Sequence, residues 1–386
     1  MSERPYDLFI FAGEVSGDLH GEKLLKSLYA LHPNLRISGV GGPRMRALGM
    51  RCILPMEEFE VMGFIDVLSS LPKFFRLFKI IKKNILDSSP KGIVFIDYPG
   101  FNLRMASSLY KNKSQAKRIQ YVCPTVWAWG KRRIPKMEKS LDKLLTILPF
   151  EPDSFSKEKL DVEYVGHPLI SRIEEHSYDS EWHTLYGISE NQPILSLFPG
   201  SRKKELERNL PLQIQAAKNL LKERKDLLIV VSCSDDKFLP FIKQHIDDSI
   251  KIIPSKHNYE LMRDSHMALA TSGTITLELA LHLVPTVVTF AIDPFDVFLA
   301  QKIFRINLPH YSLTNILGKK EIFPELFGPL LTEKNLENKA KEFLLSQFKR
   351  NHCIEECRRL QYILGTQDAS HEAAKAILKI TKNELN

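Results

Sequence analysis

Short apolar runs and longer helix-like patterns alternate along the chain from end to end. DLFIF (7–11) has the character of a buried strand, GEVSGD follows it, and LHGEKLLKSLYAL then repeats apolar residues at helical spacing. GIVFID (92–97), RIQYVC (118–123), KLLTIL (143–148) and VEYVG (162–166) read as further strands. The same grammar restarts at PILSLFPGSR (193–202), leads into a long helical stretch over 203–224, and continues through LLIVVSC (227–233), IKIIP (250–254), MALATSG (267–273) and TVVTFAI (286–292). From Thr332 onward helical signals dominate with no further strand. Strands alternating with helices predict parallel sheets covered on both faces. The polar stretch over 171–192 separates the two series, so two doubly wound α/β domains are expected, over 1–170 and 171–354. A length of 386 residues, beyond what one core organises, agrees.

Composition changes this picture little: 44% hydrophobic and 26% charged residues exclude a disordered or collagen-like chain. The distribution of charge changes it more. Residues 1–170 carry 26 basic against 18 acidic groups, and residues 171–386 carry 28 against 28. Within the first half, 62–143 holds 17 basic and 5 acidic groups, a net +12. Nucleic acid, a membrane surface or an anionic substrate each accounts for such a stretch. Five cysteines form no C-x-x-C pair, which argues against a disulfide framework or structural zinc. The opening residues lack the pattern of a signal peptide, and no run approaches the ~20 apolar residues of a spanning helix. A cytosolic protein is expected, with peripheral membrane contact left open.

Ligands of open α/β sheets bind beyond the carboxyl ends of the strands, which nominates five loops: 13–18, 97–102, 123–129, 199–205 and 272–278. Gly13 to Asp18 is a phosphate-cradling turn or a plain strand–helix connection capped by Asp18. Asp97 ends an apolar strand, poised either to accept a proton from a bound hydroxyl or to be satisfied by local N–H groups. Asn102 caps the next helix or meets substrate. Ser201 and Arg202 open a helix where anions are favoured, with Ser201 alternatively a cap. Ser272, Gly273 and Thr274 begin another helix, with Glu278 one turn inside as a ribose acceptor or a solvated helix residue.

The segment 68–86 is amphipathic and basic. At about 100° per residue Leu71, Phe74, Phe75, Phe78, Ile81 and Ile85 share one face, with Lys73, Arg76, Lys79 and Lys83 opposite and Leu77 and Ile80 intruding. This suits an interfacial helix contacting membrane or lipid, or else one packed on the sheet with snorkelling lysines. Trp127 and Trp129 precede a further basic run at 131–133. Basic and aromatic residues together also fit single-stranded nucleic acid, but no RNA-binding signature accompanies them.

Together these loops resemble the lipid-A-disaccharide synthases, glycosyltransferases of the GT-B type with two Rossmann-like domains facing a central cleft. The resemblance rests on AGEVSGD (12–18), GVGGPRM (39–45), EEFEVMGFIDVL (57–68), FIDYPGFN (95–102), YVCPTVWAW (121–129), LPFE (148–151), VGHPL (165–169), LFPGSRKKE (197–205), ATSGTITLE (270–278) and YSLTNIL (311–317), in family order over nearly the whole chain. It implies transfer of 2,3-diacylglucosamine from its UDP derivative to 2,3-diacylglucosamine 1-phosphate, giving the β-1,6-linked disaccharide phosphate and UDP with inversion. Asp97 takes the place of the family's catalytic aspartate, and Glu14 and Ser16 fall in the first-loop motif; either carboxylate suits the role of proton acceptor. Ser201, Arg202, Gly273, Thr274 and Glu278 match the UDP side, and Asn315 matches an asparagine usually preceded by Pro, where this chain has Thr314. The resemblance further implies no metal or other cofactor and peripheral attachment to the cytoplasmic face of the inner membrane through Leu71, Phe74, Phe75, Phe78, Ile81, Lys73, Arg76 and Lys79. It also implies C-terminal helices, from about 355 to 386, returning to the first domain; some members pair as homodimers. Nucleic acid is not expected as a partner. Two rival readings remain at this point: a UDP-N-acetylglucosamine 2-epimerase, and a catalytically silent membrane-surface protein.

Overall fold

The computed structural model describes residues 6–59, 71–292 and 309–381, without the side chains of Leu71 and Trp129. The acyl-contact position Leu71 and most of the 57–68 motif therefore lie outside what is described. The chain forms two compact units, one of Met1–Ser171 with Thr366–Asn386, the other of Arg172–Gly365.

Among the described residues the first unit holds a seven-stranded sheet, β1 (Leu8–Ala12), β2 (Ile37–Gly41), β3 (Arg51–Pro55), β4 (Gly92–Ile96), β5 (Lys117–Tyr121), β6 (Lys143–Thr146) and β7 (Asp161–Tyr164). All neighbours are parallel, in the order β3-β2-β1-β4-β5-β6-β7. Alternate residues of a strand face opposite sides, so Phe9, Phe11, Ile93 and Phe95 enter one core and Leu8, Ile10, Val94 and Ile96 the other. The second core is closed by the helix Val15–Leu31 and by the last described helix, Ala369–Thr381, whose Ala373, Ala374 and Ile377 are buried there.

In the second unit β8 (Ile194–Phe198), β9 (Leu228–Cys233), β10 (Ile250–Pro254), β11 (Ser265–Thr271), β12 (Thr286–Phe290) and β13 (Glu325–Phe327) form a parallel sheet in the order β10-β9-β8-β11-β12-β13. The helix Gln347–Leu364 packs on the helices Thr274–Leu281 and Glu333–Leu345 of this unit, so the return to the first unit begins at Thr366 and not near 355. Both sheets are doubly wound, as the periodicity predicts. Three strands escaped that reading. β2 is ISGVG, whose Gly39 lies so close to β1 that an added Cβ would stand 1.8 Å from the carbonyl oxygen of Ile10; β3 is only partly buried, and β13 is three residues long.

The helix Leu71–Ser88 corrects the reading of its faces. Leu77, Ile81 and Ile85 are buried in the sheet core, while Phe75 and Ile80 are exposed. Ile81 is therefore not a lipid contact, and Leu77 belongs to the packed stripe. An i, i+4 pattern buries one stripe of the wide apolar face and leaves only its flank, Phe74, Phe75 and Phe78, for other duties.

Candidate active site

In each sheet the strand order reverses beside the first strand, between β1 and β4 and between β8 and β11. Loops diverge there and leave a crevice beyond the strand ends. Ala12 pairs with Ile96, so the loop bearing Glu14 and Ser16 and the loop bearing Asp97 leave the first sheet side by side. Ser16 Oγ donates to Asp97 Oδ2 at 3.1 Å. Glu14 also stands against Asp97. Partial burial first, then the charge of Asp97 and a hydrogen bond between the two carboxyls, raise its pKa. Such a pair holds one proton more tightly than either acid alone. His20 lies within electrostatic reach of Asp97, and His167 within reach of His20. Burial lowers the pKa of His20 against the pull of Asp97 and takes His167 down to about 4, so both rings stay neutral near pH 7. Asp18 does not cap its own helix. Its carboxylate accepts from the backbone N–H groups of Gly42, Arg44 and Met45 at 2.8–3.2 Å, fixing the turn after β2.

The backbone at these strand ends is strained. Asp97, Tyr98 and Val122 have φ of 48°, 40° and 70°, a region costing a non-glycine residue of order 1–3 kcal/mol each. One side chain ties the two turns together. Gln120 Nε2 donates to the carbonyls of Asp97 (2.9 Å) and Val122 (3.1 Å), and Asn102 Nδ2 adds a second bond to the Asp97 carbonyl at 2.6 Å. Both amides are wholly buried. Asn102 thus neither caps its helix nor meets solvent; it holds the turn. Gln120, a lone polar residue in the run RIQYVC, was the available and unread signal for this clamp.

Beside Glu14 opens a groove of about 720 Å³. Phe74, Phe75, Phe78, Lys79 and Lys82 line it from the helix Leu71–Ser88, and Tyr98, Pro99, Gly100, Phe101 and Arg104 line it from the turn after β4 and the helix Pro99–Lys111. Phe101 stacks on Phe11 (centroids 4.6 Å apart) and meets Phe78 edge-on, so its floor is rigid aromatic surface. Of the other expected lipid contacts, Lys73 is paired with Glu58 at 2.9 Å and Arg76 is exposed.

In the second unit the loops after β8 and β11 enclose a polar cavity of about 410 Å³ lined by Ser201, Arg202, Gly273 and Thr274, and also by Ser232, Ser234, Asn258, Thr271 and Ser272. Two helices, Lys203–Glu223 and Thr274–Leu281, start at its wall, an arrangement suited to phosphate oxygens. Thr271 Oγ1 is buried there with no hydrogen-bond partner among the described residues. Glu205 accepts from the N–H groups of Ser201 and Arg202 and pairs with the exposed Arg202 guanidinium at 2.5 Å, holding it at the mouth. The structure does not bring Glu278 or Asn315 to this lining. Glu278 is half-buried, its pKa raised by burial against the pull of Arg172. Asn315 is fully buried. It donates to Phe323 O (2.7 Å) and Glu325 Oε1 (2.9 Å) and accepts from the N–H groups of Ile322 and Phe323, so its amide fastens the 311–325 loop.

Two doubly wound parallel sheets, each with a crevice at its switch point, give the chain the fold of GT-B proteins. Solved structures agree at the level of fold: a putative UDP-N-acetylglucosamine 2-epimerase from Listeria monocytogenes (TM-score 0.63, 11% identity, 99% of this chain and 97% of that one) and the glycotransferase of kitacinnamycin (0.63, 11%, 98% and 100%). A family model described as lipid-A-disaccharide synthetase matches residues 8–381, and the chain belongs to that family. Lipid-A-disaccharide synthase of Chlamydia pneumoniae is 41% identical over 374 residues, 96% of this chain and 62% of the relative. That of Coxiella burnetii is 31% identical over 370 residues, 96% and 97%. The chain spans 62% and 53% of the lengths of the first two chlamydial relatives.

Proposed function

We propose that the protein is an inverting glycosyltransferase of lipid A biosynthesis, moving 2,3-diacylglucosamine from its UDP derivative onto 2,3-diacylglucosamine 1-phosphate. The observation that carries this reading is the aromatic-floored groove opening onto Glu14, whose carboxyl is paired with Asp97. An acylated sugar needs both: apolar surface for its chains and a proton acceptor for its hydroxyl. Burial favours the protonated form of Glu14, and Ser16 donates to Asp97, so we assign the role of base to Asp97. As the acceptor's 6-oxygen forms its bond to the donor anomeric carbon, its proton passes to the Asp97 carboxylate, and the bond from that carbon to the diphosphate breaks with its electron pair leaving on UDP. Ser16 holds the Asp97 oxygen in place. The hydroxyl-rich cavity of the second unit supports binding of the diphosphate, with Arg202 stabilising the charge that develops there.

Phe75 and the cations of the helix Leu71–Ser88 support peripheral attachment to a membrane from which acylated substrates are drawn; no described helix is long and apolar enough to cross one. The test is acceptor dependence. UDP released from UDP-2,3-diacylglucosamine only when the acylated 1-phosphate is present, with a β-linked product, is the expected result. Epimerised UDP-sugar formed without acceptor would establish the epimerase reading instead.

A further inference from the structure

The groove beside Glu14 is apolar on its floor but not on its walls. Lys79 and Lys82, one helical turn apart, stand on the wall made by Leu71–Ser88, and Arg104 stands on the wall made by Pro99–Lys111. Among the described residues Glu14 is the one acid in the lining. Among the described residues none of the three cations has an ion-pair partner, whereas Lys73 on the same helix is matched by Glu58. Positive charge continues behind Arg104. Partial burial and then the nearby Arg104, Lys111 and Arg133 lower the pKa of Lys136.

We propose that Lys79, Lys82 and Arg104 form an anion subsite on this groove, which takes a phosphate monoester carried by the acylated sugar docked there. The inference rests on the proposed function and sharpens it: the cations select the phosphorylated acceptor. A phosphate monoester carries close to two negative charges near neutral pH and offers three acceptor oxygens. A guanidinium grips two of them in a planar fork while ammonium groups approach from the other wall. In this proposal the acyl chains lie on the aromatic floor, a hydroxyl faces Glu14, and the anomeric phosphate faces the cations of the two walls. A bilayer headgroup offers the same phosphate chemistry from another source. Lys82, half-buried within the groove, favours the docked sugar.

Steady-state kinetics in mixed micelles at saturating donor test this, using wild type, Lys82→Ala, Arg104→Ala and Arg104→Lys. Each is assayed with the diacylglucosamine 1-phosphate and with the same sugar lacking phosphate. The expected result is a loss of about 10- to 100-fold in kcat/KM on the phosphorylated acceptor for the alanine variants, with a clearly smaller loss on the unphosphorylated acceptor and donor KM unchanged. Arg104→Lys should recover part of the loss. Equal losses on both acceptors, or none, overturn the subsite. So does a defect confined to binding of phosphatidylglycerol vesicles, which assigns the cations to the bilayer. Absence of disaccharide from wild type with either acceptor overturns the functional reading instead; calorimetric binding of the two sugars to wild type and Arg104→Ala then decides the subsite by itself.

Discussion

At the scale of single residues, the candidate site depends on groups that never meet substrate. Gln120 binds the carbonyls of two left-handed turns at once, and removing its amide takes this bond from the Val122 carbonyl and leaves the Asp97 carbonyl to Asn102 alone. Gln120→Met should cost about 1–3 kcal/mol in urea unfolding. It should also lower kcat with little change in either KM, because Asp97 loses its fixed position while the binding surfaces remain. Loss of stability with kcat intact would reduce Gln120 to a purely structural role. Glu151 is a buried carboxyl elsewhere in the first unit. Its carboxyl accepts from the Leu148 N–H at 3.1 Å in a buried turn after β6, and burial raises its pKa from 4.5 to about 8. Between those values the folded protein holds a proton that the unfolded chain has released. Stability should therefore be fully present below about pH 4.5 as far as Glu151 is concerned, and its share should be lost as pH rises through about 8. Glu151→Gln should flatten that part of the profile of unfolding midpoint against pH; an unchanged slope would show that Glu151 ionises at its ordinary value.

At the scale of elements, the helix Leu71–Ser88 separates packing from surface within one apolar face. Ile81→Ala removes a fully buried side chain and should cost about 2–5 kcal/mol. Phe75→Ser, at a position 64% exposed, should leave the melting temperature nearly unchanged while weakening vesicle partitioning and raising the KM for acylated acceptor. The reverse ranking would mean that the helix is seated differently. Periodicity gave the helix, its cations and its aromatic residues, but not which apolar stripe the sheet would cover. That choice depends on the partners Phe59 and Phe101, which are distant in sequence. The same limit applies to the site loops. Glu14, Ser16 and Asp97 were legible because carboxylates and a hydroxyl at the ends of apolar strands stand out. The roles of Gln120 and Asn102 were not, because they follow from the strained turns at Asp97, Tyr98 and Val122, and no composition rule announces left-handed geometry at non-glycine residues. Asn315 is a polar residue in a motif whose amide the fold itself uses in full, which the motif alone does not reveal.

At the scale of the molecule, the chain closes its first unit with its last described helix. Ala369–Thr381 covers the helix Val15–Leu31 over Leu24, Leu25 and Leu28. A chain ending at Gly365 should expose that apolar surface and lose the cooperative unfolding of the first unit, while Arg172–Gly365 keeps its own transition; calorimetry that shows both transitions intact would contradict this. Two series of strands with a polar interval predicted two domains, but a helix far along the chain crossing back is a contact between sequence-distant surfaces that local pattern does not encode. The net +12 of residues 62–143 likewise resolves into distinct duties: Lys73 matched by Glu58, Arg76 exposed, and Lys79 and Lys82 on the groove beside the carboxyl pair. The central claim is that this pair activates an acceptor hydroxyl while the second unit holds UDP. Disaccharide formation from both acylated substrates, compared between wild type and Asp97→Asn, tests it most directly. The account predicts product and UDP from wild type, a loss of about 100-fold or more in Asp97→Asn, and UDP binding unchanged by calorimetry. Disaccharide formed by the variant at the rate of wild type would contradict it.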